Sequence, residues 1–123
     1  MKNNTKIFYG EFIGSCFLVM IIVGSGIMAQ NLTGDIAVML IANTLATGAG
    51  LFVLISAIGD ISGAHFNPVV SLVMYLNKKI KKDTILIYIS AQILGCMLGV
   101  MLANFMFDLP ILQLSEKIRP GIN

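Results

Sequence analysis

The chain has 123 residues, length for one domain at most, of which 57% are hydrophobic and only 11% charged, with a mean hydropathy of +0.90. That balance excludes intrinsic disorder, fits a soluble globule poorly, and predicts a lipid bilayer as the solvent. Eight Lys and Arg against six Asp and Glu are too few and too unevenly placed for a nucleic-acid surface, and a single His with no acidic pair at catalytic spacing predicts no enzyme, metal site or cofactor.

In chain order, three stretches of 23 or 24 residues, 7–29, 36–58 and 84–107, carry one formally charged side chain among them, Glu11. As a helix each would run about 35 Å and cross a hydrocarbon core about 30 Å thick with some tilt. Lys2 and Lys6 before the first stretch also allow a signal peptide, against which stand the length of that stretch and the spans that follow. Cys16 and Cys96 lie in apolar surroundings with no CxxC and no His-rich partner segment, so both are expected to be small packing residues. Glycines and alanines at spacing four, Gly10 with Gly14 and Ala91 with Gly95, Gly99 and Ala103, form stripes that let helices approach closely.

Lys78, Lys79, Lys81 and Lys82 fall between the second and third stretches, one span away from the loop holding Asp35. Together with Lys2 and Lys6 they put six of the eight basic residues on one side, which the positive-inside rule assigns to the cytoplasm. The N-terminus is therefore expected inside, in the cell membrane, and the tail 108–123 outside. The lysines can also bind anionic lipid.

Residues 59–77 are too long for a turn. Their second half, Pro68–Leu76, is apolar but nine residues long, about 13–14 Å of helix and under half the hydrocarbon core. Asn67 before Pro68 is a strong helix start, an amide cap followed by the residue suited to the first helical position. Gly59, Ser62, Gly63 and Ala64 ahead of it predict an unwound run. Together these features predict a re-entrant element, an unwound approach followed by a capped half-helix that returns to the lysine-rich loop. Irregular backbone at membrane depth is tolerated only where protein buries it or a water-filled path runs beside it. A helix lying on the membrane surface is the alternative, but Pro68–Leu76 lacks the charged face such a helix needs.

The run Ser62-Gly63-Ala64-His65-Phe66-Asn67-Pro68-Val69-Val70-Ser71 closely resembles the signature loop of the aquaporin and glycerol-facilitator family, the major intrinsic proteins, usually spelled SGAHxNPAV and followed by Ser or Thr. Glu11-Phe12-Ile13-Gly14-Ser15 looks like the start of that family's first helix, and Gln92 with Gly95 adds weaker support. The resemblance implies an all-α membrane fold: three transmembrane helices plus one re-entrant half-helix, one repeat of an inverted-repeat channel. It further implies a passive path for water and small neutral solutes, and assembly into tetramers.

On that resemblance the Asn67 amide would donate to a passing oxygen, with Pro68 and Val69 at the junction of the two halves. The carbonyls of Gly63, Ala64, His65 and Phe66 would form a ladder of acceptors. Glu11, with Gln92, would hold the loop; a snorkelling acid at the end of the span is the other reading of Glu11. His65 would line the path or fix the loop. Two departures stand out. Val69 replaces the usual Ala, and Thr47, twenty residues before Asn67, stands where water-selective members carry Phe and glycerol facilitators Trp. A smaller wall at Thr47 would widen the filter toward glycerol-like solutes or uncharged metalloid acids.

The family's channel needs a second half with its own Asn-Pro motif and an arginine, and this chain contains one Asn-Pro. Three readings stay open: half of a longer or split channel, a half-channel pairing with an antiparallel copy of itself, or a three-span scaffold or assembly protein without channel activity. The lysine bias opposes the second, since dual topology needs weak charge asymmetry.

Overall fold

A computed structural model of the chain describes the backbone of residues 2–113 and the side chains of residues 4–113. Among them are four helices: α1 (Lys2–Leu32), α2 (Ile36–Ser62), α3 (Pro68–Leu76) and α4 (Lys82–Met106). Three of these, α1, α2 and α4, are long and apolar enough to cross a membrane. The fourth is the nine-residue half-helix. Of the tail 108–123, residues 114–123 lie outside the described residues.

Local chemistry sets the helix boundaries. Asp35 starts α2, its carboxylate accepting from the Ala37 and Val38 amides at 2.8 and 3.3 Å, where the orphan N–H groups of a first turn need partners. Gly63 ends it at φ +92°, donating to the Gly59 carbonyl at 2.8 Å, a left-handed cap that glycine adopts without the Cβ penalty. The helix thus runs through Gly59 to Ser62, and the unwound run expected from Gly59 onward is confined to residues 63–67. An isolated glycine costs a helix only about 1 kcal/mol, and Gly59 has nothing within 4 Å of its would-be Cβ to force it out of line. The helices also overrun the apolar stretches where polar residues continue the hydrogen-bond ladder, as at Lys2 to Lys6 and Lys82 to Asp83.

α1 is central, with α2 on one side and α4 on the other, and α3 packs on α4. Helices in lipid gain little from burying apolar surface against each other, so close backbone approach carries the association. Ala91, Gly95, Gly99 and Ala103 are all buried, and a Cβ at Gly95 or Gly99 would overlap the carbonyl oxygen of Phe12 or Cys16. The Cys16 backbone thus seats α4, and both cysteines are free thiols. Between α1 and α2, Asn43 Nδ2 donates to the Ile22 carbonyl at 2.7 Å and to Ser25 Oγ at 3.0 Å.

The start of α1 and the loop between α3 and α4 share one end of the bundle, where Asn4 and Ile7 face Lys79, Ile80 and Lys81 across a cavity. The half-helix therefore returns to the lysine-rich end from which the unwound approach leaves α2.

Candidate functional site

The site is built on one buried acid. Glu11, on α1, is fully buried, and its two carboxylate oxygens receive four donors. Oε1 accepts from Ser62 Oγ at 2.7 Å and the His65 amide at 3.0 Å. Oε2 accepts from the Phe66 amide at 2.7 Å and Gln92 Nε2 at 2.8 Å. Four donors match the acceptor capacity of a carboxylate, which is how an acid at membrane depth is accommodated without a cation. A snorkelling side chain would reach the surface; this one reaches the loop.

The loop backbone is bent to fit that acid. Gly63, Ala64 and Phe66 lie at φ +92°, +48° and +47°, a region that costs non-glycine residues on the order of 1–2 kcal/mol each. Ser62 Oγ accepts from the Ala64 amide at 3.2 Å, so the amides of residues 64, 65 and 66 all turn to the Ser62 and Glu11 side. In a trans peptide the N–H opposes the carbonyl of the preceding residue. The carbonyls of Gly63, Ala64 and His65 consequently face away from Glu11. Neither they nor the Phe66 carbonyl accept a hydrogen bond among the described residues.

Side chains clamp the loop from outside. The Phe66 ring is buried against α1 at Gly14, where any Cβ would overlap it. His65 stacks on Tyr88, ring centroids 4.3 Å apart and 17° from parallel, and its Nδ1 lies 3.0 Å from Ser71 Oγ. Tyr88 donates to the Ser62 carbonyl. Gln92 Nε2 reaches Ser71 Oγ at 3.0 Å as well as Glu11, so one amide joins α1, α3 and α4.

At the head of α3, Asn67 adopts extended backbone (φ −153°, ψ 126°), and its Oδ1 accepts from the Val69 amide at 2.8 Å. Its Nδ2 makes no hydrogen bond among the described residues. Pro68 occupies the first helical position, and Val69 is 64% exposed. The unpaired carbonyls, the free amide donor and the positive end of the half-helix are thus left without partners at the α3 N-terminus.

Thr47 stands apart. It lies 15 residues before Ser62 on α2, about 22 Å along the axis, and α2 and α3 do not touch. Its hydroxyl is covered and has no partner among the described residues. The structure brings together Glu11, Gln92 and residues 63–67, and leaves Thr47 outside the cluster. Tyr88 is the member that sequence reasoning missed. Its signal was the four-residue spacing to Gln92, which puts two polar tips on one face of a mainly apolar helix.

Comparison with known proteins agrees with these features. The profile of the major intrinsic protein family matches residues 1–121. Aquaglyceroporin AqpS of Rhizobium meliloti is 50% identical over 111 residues, covering 90% of this chain and 48% of that protein. Aquaporin A of Dictyostelium discoideum is 37% identical over 94 residues, 76% of this chain and 34% of that protein. Aquaporin NIP3-1 of Arabidopsis thaliana is 37% identical over 100 residues, 81% of this chain and 30% of that protein. The chain spans about half or less of the length of these curated relatives.

Proposed function

Since the chain belongs to the major intrinsic protein family and corresponds to the N-terminal half of its members, we propose that it forms one half of a passive transmembrane channel for water and small neutral solutes. It is a multi-pass membrane protein; in this reading it sits in the cell membrane with the N-terminus and lysine-rich end in the cytoplasm.

One observation carries the reading: the loop satisfies the amides of residues 64–66 on Glu11 and Ser62 and leaves its carbonyls and the Asn67 Nδ2 unpaired among the described residues. Unpaired polar backbone at membrane depth costs several kcal/mol per group unless something polar passes it. A file of water or hydroxylated solute supplies that partner, the carbonyls of residues 63–66 accepting and Asn67 donating. The positive end of α3 disfavours cations at the same point. Glu11, Gln92 and Tyr88 act by positioning the loop, while Pro68 and Val69 meet the second half. That second half is the rest of a longer polypeptide or a separate chain. An antiparallel second copy fits less well, because six of eight basic residues specify one orientation.

Thr47 sets the solute class in this reading. With its hydroxyl covered, it contributes small volume to the filter wall, where an aromatic residue would narrow it. The name aquaglyceroporin borne by the Rhizobium relative supports a filter wide enough for glycerol-like solutes; uncharged metalloid acids are of comparable size and polarity.

The test joins this chain to the remaining half of that relative and measures vesicle swelling. Water and glycerol should both permeate, and Thr47→Phe should cut glycerol flux at least tenfold while sparing water. Water flux without glycerol flux in the unsubstituted chimaera rejects the wide filter. A folded chimaera that passes neither rejects the channel and leaves the three-span scaffold.

A further inference from the structure

The lysine-rich end holds a cavity of about 340 Å³ between the first turns of α1 and α4 and the loop joining α3 to α4. That volume lies in the range of small-molecule sites, about 300–1,000 Å³. Asn4 and Ile7 form one wall, Lys79 and Lys81 another, and Thr84 and Tyr88 line the side of α4. Among the described residues no acidic side chain lines it; Asp83, the nearest in sequence, is exposed in the first turn of α4.

What the cavity offers is donors. Among the described residues neither lysine forms an ion pair, and the Thr84 hydroxyl and Asn4 amide have no hydrogen-bond partner. The loop is nevertheless fixed: the Asn77, Lys78 and Lys79 amides donate to the carbonyls of Val73, Tyr75 and Met74 at 2.9–3.0 Å. Two cations on a braced loop, with neutral donors opposite and an apolar patch at Ile7, make a recess complementary to a compact anion attached to something greasy. The start of α4 adds the positive end of its dipole, and Lys81, its cap residue, makes no side-chain cap bond.

The geometry points to a phosphate-binding site in this cavity, held by Lys79 and Lys81 with Thr84 and Asn4. The phosphate is supplied either by an anionic lipid head group at the membrane surface or by a soluble phosphate. The site adjoins the loop around Asn67 through Tyr88, which lines the cavity and stacks on His65, but the groups that hold the phosphate belong to neither the loop nor its supports, and the site stands whether or not the chain conducts.

The experiment uses the full 123-residue chain in neutral maltoside micelles. Amide shifts of residues 81–85 are followed by NMR during titration with dihexanoyl phosphatidate, dihexanoyl phosphatidylcholine and inorganic phosphate. Phosphatidate should give saturable shifts and phosphatidylcholine none. Lys79→Gln with Lys81→Gln should weaken binding about 25-fold, about fivefold per lysine. Lys6→Gln with Lys78→Gln, which removes equal charge from the same end outside the cavity, should change it less than threefold. Saturation by inorganic phosphate at similar concentration, with the same dependence on Lys79 and Lys81, also supports the site and identifies a soluble source. Absence of saturable shifts, equal shifts with phosphatidylcholine, or equal weakening by the two double variants overturns the site.

Discussion

Glu11 concentrates more of the loop's geometry than any other residue, because four donors from three segments converge on it. Removing the carboxylate leaves the part-buried His65 amide and the buried Phe66 amide unsatisfied, each costing about 1–3 kcal/mol, and leaves Gln92 Nε2 with Ser71 Oγ alone. Glu11→Ala should therefore release the positive φ values of Ala64 and Phe66, which persist only while surrounding bonds over-determine them. Hydrogen exchange at the His65 and Phe66 amides is expected to quicken at least a hundredfold. Glu11→Gln keeps one acceptor oxygen and should lose less; equal exchange in all three proteins would remove Glu11 as the support. That Glu11 meets the loop was legible as a resemblance in Glu11-Phe12-Ile13-Gly14. Which atoms it meets was not, since the bonded residues lie 51 to 81 positions away.

At the scale of elements, Asn67 has two separable duties. Its Oδ1 caps α3, and its Nδ2 makes no hydrogen bond among the described residues. Asn67→Asp keeps the cap acceptor and removes the amide donor, while Asn67→Ala removes both. In the chimaera, Asn67→Asp should fold with unchanged thermal stability and lose most solute flux. Asn67→Ala should lose flux and also about 1 kcal/mol of stability. If Asn67→Asp conducts normally, the amide has no part in the path. Packing between α1 and α4 makes a second prediction. Gly95 faces a backbone carbonyl that cannot step aside, so Gly95→Val should cost about 1–3 kcal/mol or more, read as a lower midpoint of thermal unfolding in detergent. Gly48 has nothing within 4 Å, and Gly48→Ala in the isolated chain should shift that midpoint little, upward if anything.

Across the whole molecule, the surface left uncovered matters as much as the core. The most apolar stretch of α2 has no residue buried within the chain, and α3 exposes Val69 and Leu76 at 64% and 68%. A half-helix of about 13–14 Å ends near the middle of a core about 30 Å thick, and α2 makes no contact with it. The isolated chain in vesicles should accordingly pass neither water nor glycerol above the rate of protein-free lipid. Flux from purified chain, with cross-links recovered between copies, would instead indicate self-assembly.

By itself the sequence determined the solvent, the three long helices, the half-helix and its cap, because these depend on composition, run length and neighbouring residues, all local in the chain. The motif around Asn67 likewise carried the family. Only the tertiary structure decided that α2 continues to Ser62 and that Phe66 is seated in the space left by Gly14. It alone placed Tyr88 beneath His65 and the lysines over a cavity shared with the start of α1. The physical reason is that hydrogen bonds and steric fits between residues far apart in sequence leave no periodic trace in it. They exist only once close approach along Gly95 and Gly99 has brought α1 and α4 together around the loop.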